Sequence, residues 1–376
     1  MSSRTARLER AMDRADDTVD GSPGPAEPLA DRLLLRDWHP VPQTVTTVTA
    51  TPRPAVPCVD AHNHVGRWLA PDGGWLAGDV RALLAVLDAH DVETVVNLDG
   101  RWGEELTANL DRYDRAHPGR FATFAHLDWR ALADDAPTAV LRTQLEDAVR
   151  RGARGLKVWK DLGLTHRDGT GRLVLPDDER LLPVFATAGD LGLPVVVHTA
   201  DPVAFFAPLD ATNERVDELG EHPQWWFGGP GLPTFDRLMA ALETLVAATP
   251  GTTYVGAHVG CHAEDLGRVD RMLTLHPNFH VDTGGRFGEL GRTPRAFRRL
   301  VERHPTRVLF GTDAYPPDGA AYEVAFRFLE TADEAFDYAP GSPVPPQGRW
   351  QIAGADLPGH LLPDLYAGNA RRVLRL

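Results

Sequence analysis

Four histidines and one aspartate close four apolar runs of this chain. Val59-Asp60-Ala61-His62-Asn63-His64 ends in two of them, and Val195-Val196-Val197-His198 ends in the third. Tyr254-Val255-Gly256-Ala257-His258 ends in the fourth, and Leu309-Phe310-Gly311-Thr312-Asp313 ends in the aspartate. Imidazole and carboxylate are ordinary ligands for zinc, manganese and iron. Side chains two apart on a strand point the same way, so His62 and His64 share a face. Strand ends are where barrel enzymes place their chemistry. The five residues therefore read as one metal site.

Lysine usage is the second signal. Lys and Arg together number 39, yet the only lysines are Lys157 and Lys160, both in Gly155-Leu156-Lys157-Val158-Trp159-Lys160. Only an amine can be carboxylated or present a compact ammonium, so two amines kept together point to a local need for one. Apolar Leu156 and Val158 would face outward on a strand, which turns Lys157 into the barrel.

The elements that must position these residues follow a strand–helix rhythm. Strands are expected over residues 58–64, 94–98, 121–127, 154–159, 194–198, 253–258, 279–283 and 307–311. Helical periodicity appears over 80–89 and 138–150, and again over 361–376. Eight βα units predict a single (β/α)8 TIM barrel over residues 55–376. Ahead of it, residues 1–25 read as a polar, acidic tail with a short helix over 4–17. Residues 26–54, with Leu33-Leu34-Leu35, read as an N-terminal arm packed on the barrel. The long segment from Asp201 to about Pro233, rich in aromatic residues, Gly and Pro, suits a lid or pocket wall as well as a packed loop.

A formal net charge of −14 argues against nucleic acid and against an anionic membrane surface. Two cysteines, Cys58 and Cys261, are too few for a disulfide scaffold and suit a reducing, cytoplasmic setting. No run is apolar enough for a membrane span, and the charged start lacks a secretory h-region. The expected partner is a small-molecule substrate; the sequence also allows a homodimer.

His62-Asn63-His64, His198, His258 and Gly311-Thr312-Asp313 in this order resemble the amidohydrolase superfamily. The closing Tyr366-Ala367-Gly368-Asn369-Ala370-Arg371-Arg372-Val373-Leu374 is similar to the last helix of its amidohydrolase-related branch, which holds aminocarboxymuconate-semialdehyde decarboxylase alongside true hydrolases. The resemblance implies a metal-dependent barrel with zinc, manganese or iron at His62, His64, His198 and Asp313, and zinc first among these. Gly155-Leu156-Lys157 also looks like the segment that carries a carboxylated lysine in binuclear members. One ion is favoured; a carbamylated Lys157, with His258, would make two.

The expected activity is hydrolysis of a small, carboxylate-bearing organic substrate by metal-activated water, with Asp313 as general acid/base and His258 binding substrate or a second ion. Non-oxidative decarboxylation is the alternative. Arg286, after Gly284-Gly285, and Lys160 are expected to hold an anionic group, although Arg286 could instead pair with Glu289. His262, Arg101 and Trp159 are further expected substrate contacts.

Overall fold

In the computed structural model, which describes residues 28–376, eight short strands alternate with eight longer helices. The strands are β1 (Cys58–Asn63), β2 (Val92–Asn97), β3 (Phe121–Ala125), β4 (Gly155–Val158), β5 (Val195–Val197), β6 (Tyr254–Gly256), β7 (Phe279–Asp282) and β8 (Val308–Leu309). Each pairs in parallel with the next in chain order. Ala61 N donates to Phe310 O at 2.9 Å and Asp313 N to His62 O at 2.8 Å, which draws β8 back to β1. The expected TIM barrel is therefore the observed one. Most strands are shorter than their apolar runs because the last residues of each run leave the ladder.

The helices are α1 (Val80–Ala89), α2 (Gly103–Leu110), α3 (Pro137–Arg151), α4 (Leu182–Asp190), α5 (Phe235–Ala248), α6 (Leu266–Leu275), α7 (Pro294–Arg303) and α8 (Gly319–Glu330). Local chemistry sets their limits. Asp79 caps α1 by accepting from Arg81 N and Ala82 N, and α1 buries Leu83 and Leu87. Proline opens α3 and left-handed Gly152 closes it, while Leu141, Leu145 and Ala148 face inward. Leu156 and Val158 join the layer between strands and helices. Val59, Val96, Phe124, Val196, Val255 and Leu309 fill the barrel itself.

The expected helix over 361–376 is interrupted. Asp364–Gly368 winds as a π turn before α9 (Asn369–Leu374), and Leu365 O there accepts from Phe310 N at 3.0 Å. Asn369 Nδ2 donates to Pro305 O and Val308 O at the start of β8, so this segment plugs the barrel floor.

Val45–Leu376 form one compact unit. Within it, residues 45–54 are tied down by Thr49, whose backbone N donates to Asp333 at 2.7 Å. The described residues of the preceding unit, 28–44, contain a helical turn at Leu29–Arg32 and a 3-10 turn at Leu35–Asp37, with Leu33, Leu34 and Leu35 exposed. The expected tail over 1–25 lies outside the described residues. Among the described residues, no helix is long and apolar enough to cross a membrane.

Candidate metal centre

β1 and the turn after β8 bring three ligand atoms together. His62 Nε2 lies 3.6 Å and His64 Nε2 3.5 Å from Asp313 Oδ1. Asp60, fully buried on β1, arranges this meeting. It accepts from Thr312 N at 3.0 Å, Thr312 Oγ1 at 2.6 Å, Asn63 Nδ2 at 2.9 Å and Tyr322 OH at 3.0 Å. Two glycines let the strands close around His62: a Cβ at Gly311 would sit 2.8 Å from His62 Cβ, and one at Gly284 would sit 2.8 Å from His62 Cγ.

Each histidine is oriented by a buried carboxylate. His62 Nδ1 donates to Asp282 Oδ2 at 2.9 Å, and His64 Nδ1 to Asp99 Oδ1 at 2.6 Å. Burial holds His62 neutral, well below its usual range, with Lys157 pushing the same way. Burial pushes Asp99 up, but His64 beside it more than offsets this and the carboxyl stays low. Both imidazoles thus turn an Nε2 lone pair toward Asp313, and neither Nε2 has a hydrogen-bond partner among the described residues. A buried, unpaired polar atom costs about 1–3 kcal/mol, and two beside one carboxylate form the donor set of a divalent metal site. Carboxylate–histidine–metal chains are built this way.

The expected five-residue set divides. Among the described residues, only His62, His64 and Asp313 gather within 4.8 Å. His258 Nδ1 donates to Gly284 O at 2.8 Å, which leaves its Nε2 as an acceptor facing His198 Nδ1 at 3.3 Å. His198 must then donate through Nδ1. Its Nε2 lone pair faces Asp201 Oδ1 at 3.2 Å, one acceptor against another. Burial keeps His198 neutral, at about 3, against the pull of Asp201. Lys160 holds the Asp201 carboxyl well below its usual range despite burial. A gap between two acceptors suits a cation, so His198 has a lone pair to offer although it stands outside the tight cluster.

Lys157 points into the barrel. It is fully buried, its Nζ has no hydrogen-bond partner among the described residues, and burial lowers it to about 8 against the pull of Asp282 and Asp313. It does not join the three-ligand group.

The site opens into a cavity of about 480 Å³ lined by His64, Trp159, Lys160, His198, His258, Arg286 and Asp313. Trp159 forms a wall, its ring 6.0 Å from His64 and 4.9 Å from His198. Arg286 donates to Gly285 O at 2.8 Å and, among the described residues, ion-pairs with no carboxylate; Glu289 pairs with Arg215 instead. Lys160 is held by Asp201, so its charge is largely spent. Two expected contacts lie elsewhere. Arg101 stacks between Trp68 and Trp102, because a left-handed backbone turns it aside. His262 packs on Phe235 beside a different cavity, because the chain leaves the barrel axis in the turn after β6.

Asp99, Asp282, Asp60 and Asp201 join the site without being among the expected residues. Asp99 and Asp282 also close strand runs, and Asp60 shares the face of His62 by the two-residue period, so the same criterion could have found them. Asp201 has no such signal.

A family model described as amidohydrolase matches residues 59–376. No curated protein matches the chain by sequence. A dihydroxybenzoic acid decarboxylase from Polaromonas sp. JS666, solved with manganese and the inhibitor 2-nitroresorcinol, aligns with a TM-score of 0.53 at 17% identity, covering 85% of this chain and 97% of its own. A 2,6-dihydroxybenzoate decarboxylase from Rhizobium gives 0.51 at 18%, covering 85% and 99%. An amidohydrolase from Burkholderia multivorans with bound zinc gives 0.50 at 16%, covering 85% and 99%. At these identities the likeness is one of fold.

Proposed function

The chain belongs to the amidohydrolase family, and from that premise we propose that it is a metal-dependent hydrolase of small amides or esters whose acyl half carries a carboxylate. The observation that carries this reading is a bipartite cavity. A second cavity of about 410 Å³ adjoins the first, and the two share Glu218, Trp225, Gly285, Asp313, Tyr315 and Gln347. Asp313 thus stands where two substrate halves would meet. Hydrolysis yields two sizeable products and uses both spaces.

A divalent ion at His62 Nε2, His64 Nε2 and Asp313 would supply Lewis acidity, lowering the pKa of water and polarising the scissile carbonyl. Zinc and manganese both suit this donor set. The chain's own groups do the rest. The side chains of His62 and His64 are 0% and 1% exposed, whereas that of Asp313 is 18% exposed. Asp313 is therefore the member of the trio that can exchange a proton with the cavity. It takes one proton from water; the water oxygen joins the acyl carbon, the C–N or C–O bond breaks, and the proton goes to the departing nitrogen or oxygen. Arg286, free of a carboxylate partner, binds the acyl carboxylate. Trp159, Phe205 and Trp225 give that half an apolar, planar wall.

Decarboxylation is the second reading. It is favoured by the first cavity alone, where one three-ligand centre, aromatic walls and Arg286 would accept an aromatic acid of the kind named for the Polaromonas and Rhizobium enzymes. Turnover of carboxylate-bearing amides, esters and hydroxybenzoates in heavy-oxygen water separates the two. The hydrolase places solvent oxygen in the acid product, and Asp313→Asn lowers that rate about 10²- to 10⁴-fold. Release of CO₂ without oxygen incorporation overturns the hydrolase in favour of the decarboxylase.

A further inference from the structure

Arg215 is buried between two carboxylates, one of which reaches the catalytic cavity. Its Nη2 pairs with Glu289, itself buried, and its Nη1 donates to Glu218 Oε2 at 2.7 Å. Arg215 is 2% exposed, and its guanidinium packs against the rings of Phe205 and Trp350. Arg215 and Glu218 come from the segment after β5, Glu289 from the Phe287–Leu290 turn after β7. The triad therefore fixes both loops. One guanidinium is shared between two carboxylates, and the Glu218 side chain keeps 14% exposure at the cavities. It cannot swing away, because Arg215 holds one of its oxygens.

Glu218 lines both cavities at their junction. On the near side lies Arg286, which among the described residues forms no ion pair with a carboxylate. Beyond Glu218 the second cavity adds Glu221, His222 and Tyr338 and, among the described residues, no lysine or arginine. The polarity thus changes sign along the substrate path: positive where the acyl half would lie, negative just past Asp313.

We propose that Glu218 is a specificity determinant that selects a departing half bearing an ammonium or similar cationic donor, so that the substrates join a carboxylate-bearing acid to an amino-substituted amine or alcohol. This rests on the hydrolase reading. The fixed carboxylate meets a cation without reorganising, and a charge-assisted hydrogen bond forms only with a donor on that half. A neutral departing half would desolvate the second Glu218 oxygen without giving it a donor, which is how a polar site rejects an analogue that lacks the donor.

The test compares the isophthalic acid monoamides of ethane-1,2-diamine and of propylamine. They share the acyl carboxylate and the chain length and differ only in the terminal ammonium. Affinity is measured calorimetrically and product formation by chromatography, on metal-loaded protein. Wild type is expected to bind the ammonium ligand about tenfold tighter, the range for one hydrogen bond to a charged group. Glu218→Gln should reduce that preference to about twofold or less, and Glu218→Asp, which keeps the charge on a shorter arm, should retain part of it. Equal affinities in wild type, undetectable binding of both ligands, or a preference that survives in Glu218→Gln overturns the role of Glu218. Preference without cleavage of either amide keeps Glu218 as the selector and removes the hydrolase reading; cleavage of both without preference does the reverse.

Discussion

Asp99→Asn separates orientation of a metal ligand from ligation itself. Asp99 touches His64 through Oδ1 at 2.6 Å, while its Oδ2 is buried without a partner. Asn keeps the shape and one acceptor oxygen, so His64 retains its tautomer. The change removes the negative charge beside the imidazole, and it places an amide nitrogen where Oδ2 was. Loss of such a supporting carboxylate typically weakens metal affinity about 10- to 100-fold, or about 1.4–2.7 kcal/mol. The buried amide nitrogen adds a folding penalty of about 1–3 kcal/mol that is independent of metal. The two effects have different readouts. Competition with a chromophoric chelator gives the zinc Kd, and urea unfolding of metal-stripped protein gives the folding term. At an ion concentration of 100 Kd, metal stabilises the native state by about 2.7 kcal/mol, so at that fixed concentration a 10- to 100-fold weaker variant should keep only about 1.4 to 0.4 kcal/mol of it, with a matching loss of the metal-dependent gain in Tm. An unchanged zinc Kd in folded Asp99→Asn would refute the proposed geometry, because His64 Nε2 would then not be a ligand.

Two further perturbations act on buried charge. Burial lowers Lys157 from 10.5 to about 8, so the unfolded chain binds its proton more tightly. The charged amine then costs about 3 kcal/mol at pH 7, and the cost fades as pH rises from about 8 to 10.5. Lys157→Met should accordingly exceed wild type in stability at pH 7, with the advantage shrinking across that window; a urea-derived difference that stays flat with pH would contradict this, and flattening caused by added bicarbonate would mark carbamylation. Arg215→Met strands Glu289 in the interior and should destabilise by about 3–5 kcal/mol. Arg215→Met/Glu289→Gln should recover part of that in the same unfolding assay, and an additive loss would show that the two residues do not act as a pair.

The fold was legible because its signals are local and redundant. Eight apolar runs, with helical periodicity between most of them, leave few arrangements other than a parallel barrel. The metal ligands were legible for a similar reason: His62 and His64 lie on one strand face, and Asp313 closes a run of the same kind. What stayed hidden depends on long-range pairing. That Gly284 O would fix the tautomer of His258, or that Asp201 would engage both His198 and Lys160, follows from which loops meet above the barrel. No periodicity encodes that. Arg286 and Glu289 are three residues apart and were a plausible ion pair on spacing alone. Arg215, more than seventy residues upstream, takes Glu289 instead and leaves Arg286 to the cavity.

The places where local reading failed share a physical cause. His258 and Asp313 extend their strands in sequence, yet both leave the extended region, with φ of 57° and 56°; Val259 and Cys261 follow with 59° and 60°. Left-handed backbone costs about 1–3 kcal/mol at a non-glycine residue and is unusual above all for β-branched Val259. Such conformations persist only where the surroundings impose them. Here His258 N donates to Asp282 Oδ1 at 3.0 Å, and Asp313 N donates to His62 O at 2.8 Å. The carboxylate that orients His62 therefore also holds the bend that aims His258. The carbonyl of His62 likewise holds the bend that aims Asp313. Ligand orientation and backbone strain are thus maintained by the same few groups on β1 and β7. The coupling explains why Asp313 leaves the strand pattern where it meets the proposed metal and His258 leaves it where it meets His198, since extended geometry at 258 and 313 would carry both side chains along the strand instead of across the barrel mouth.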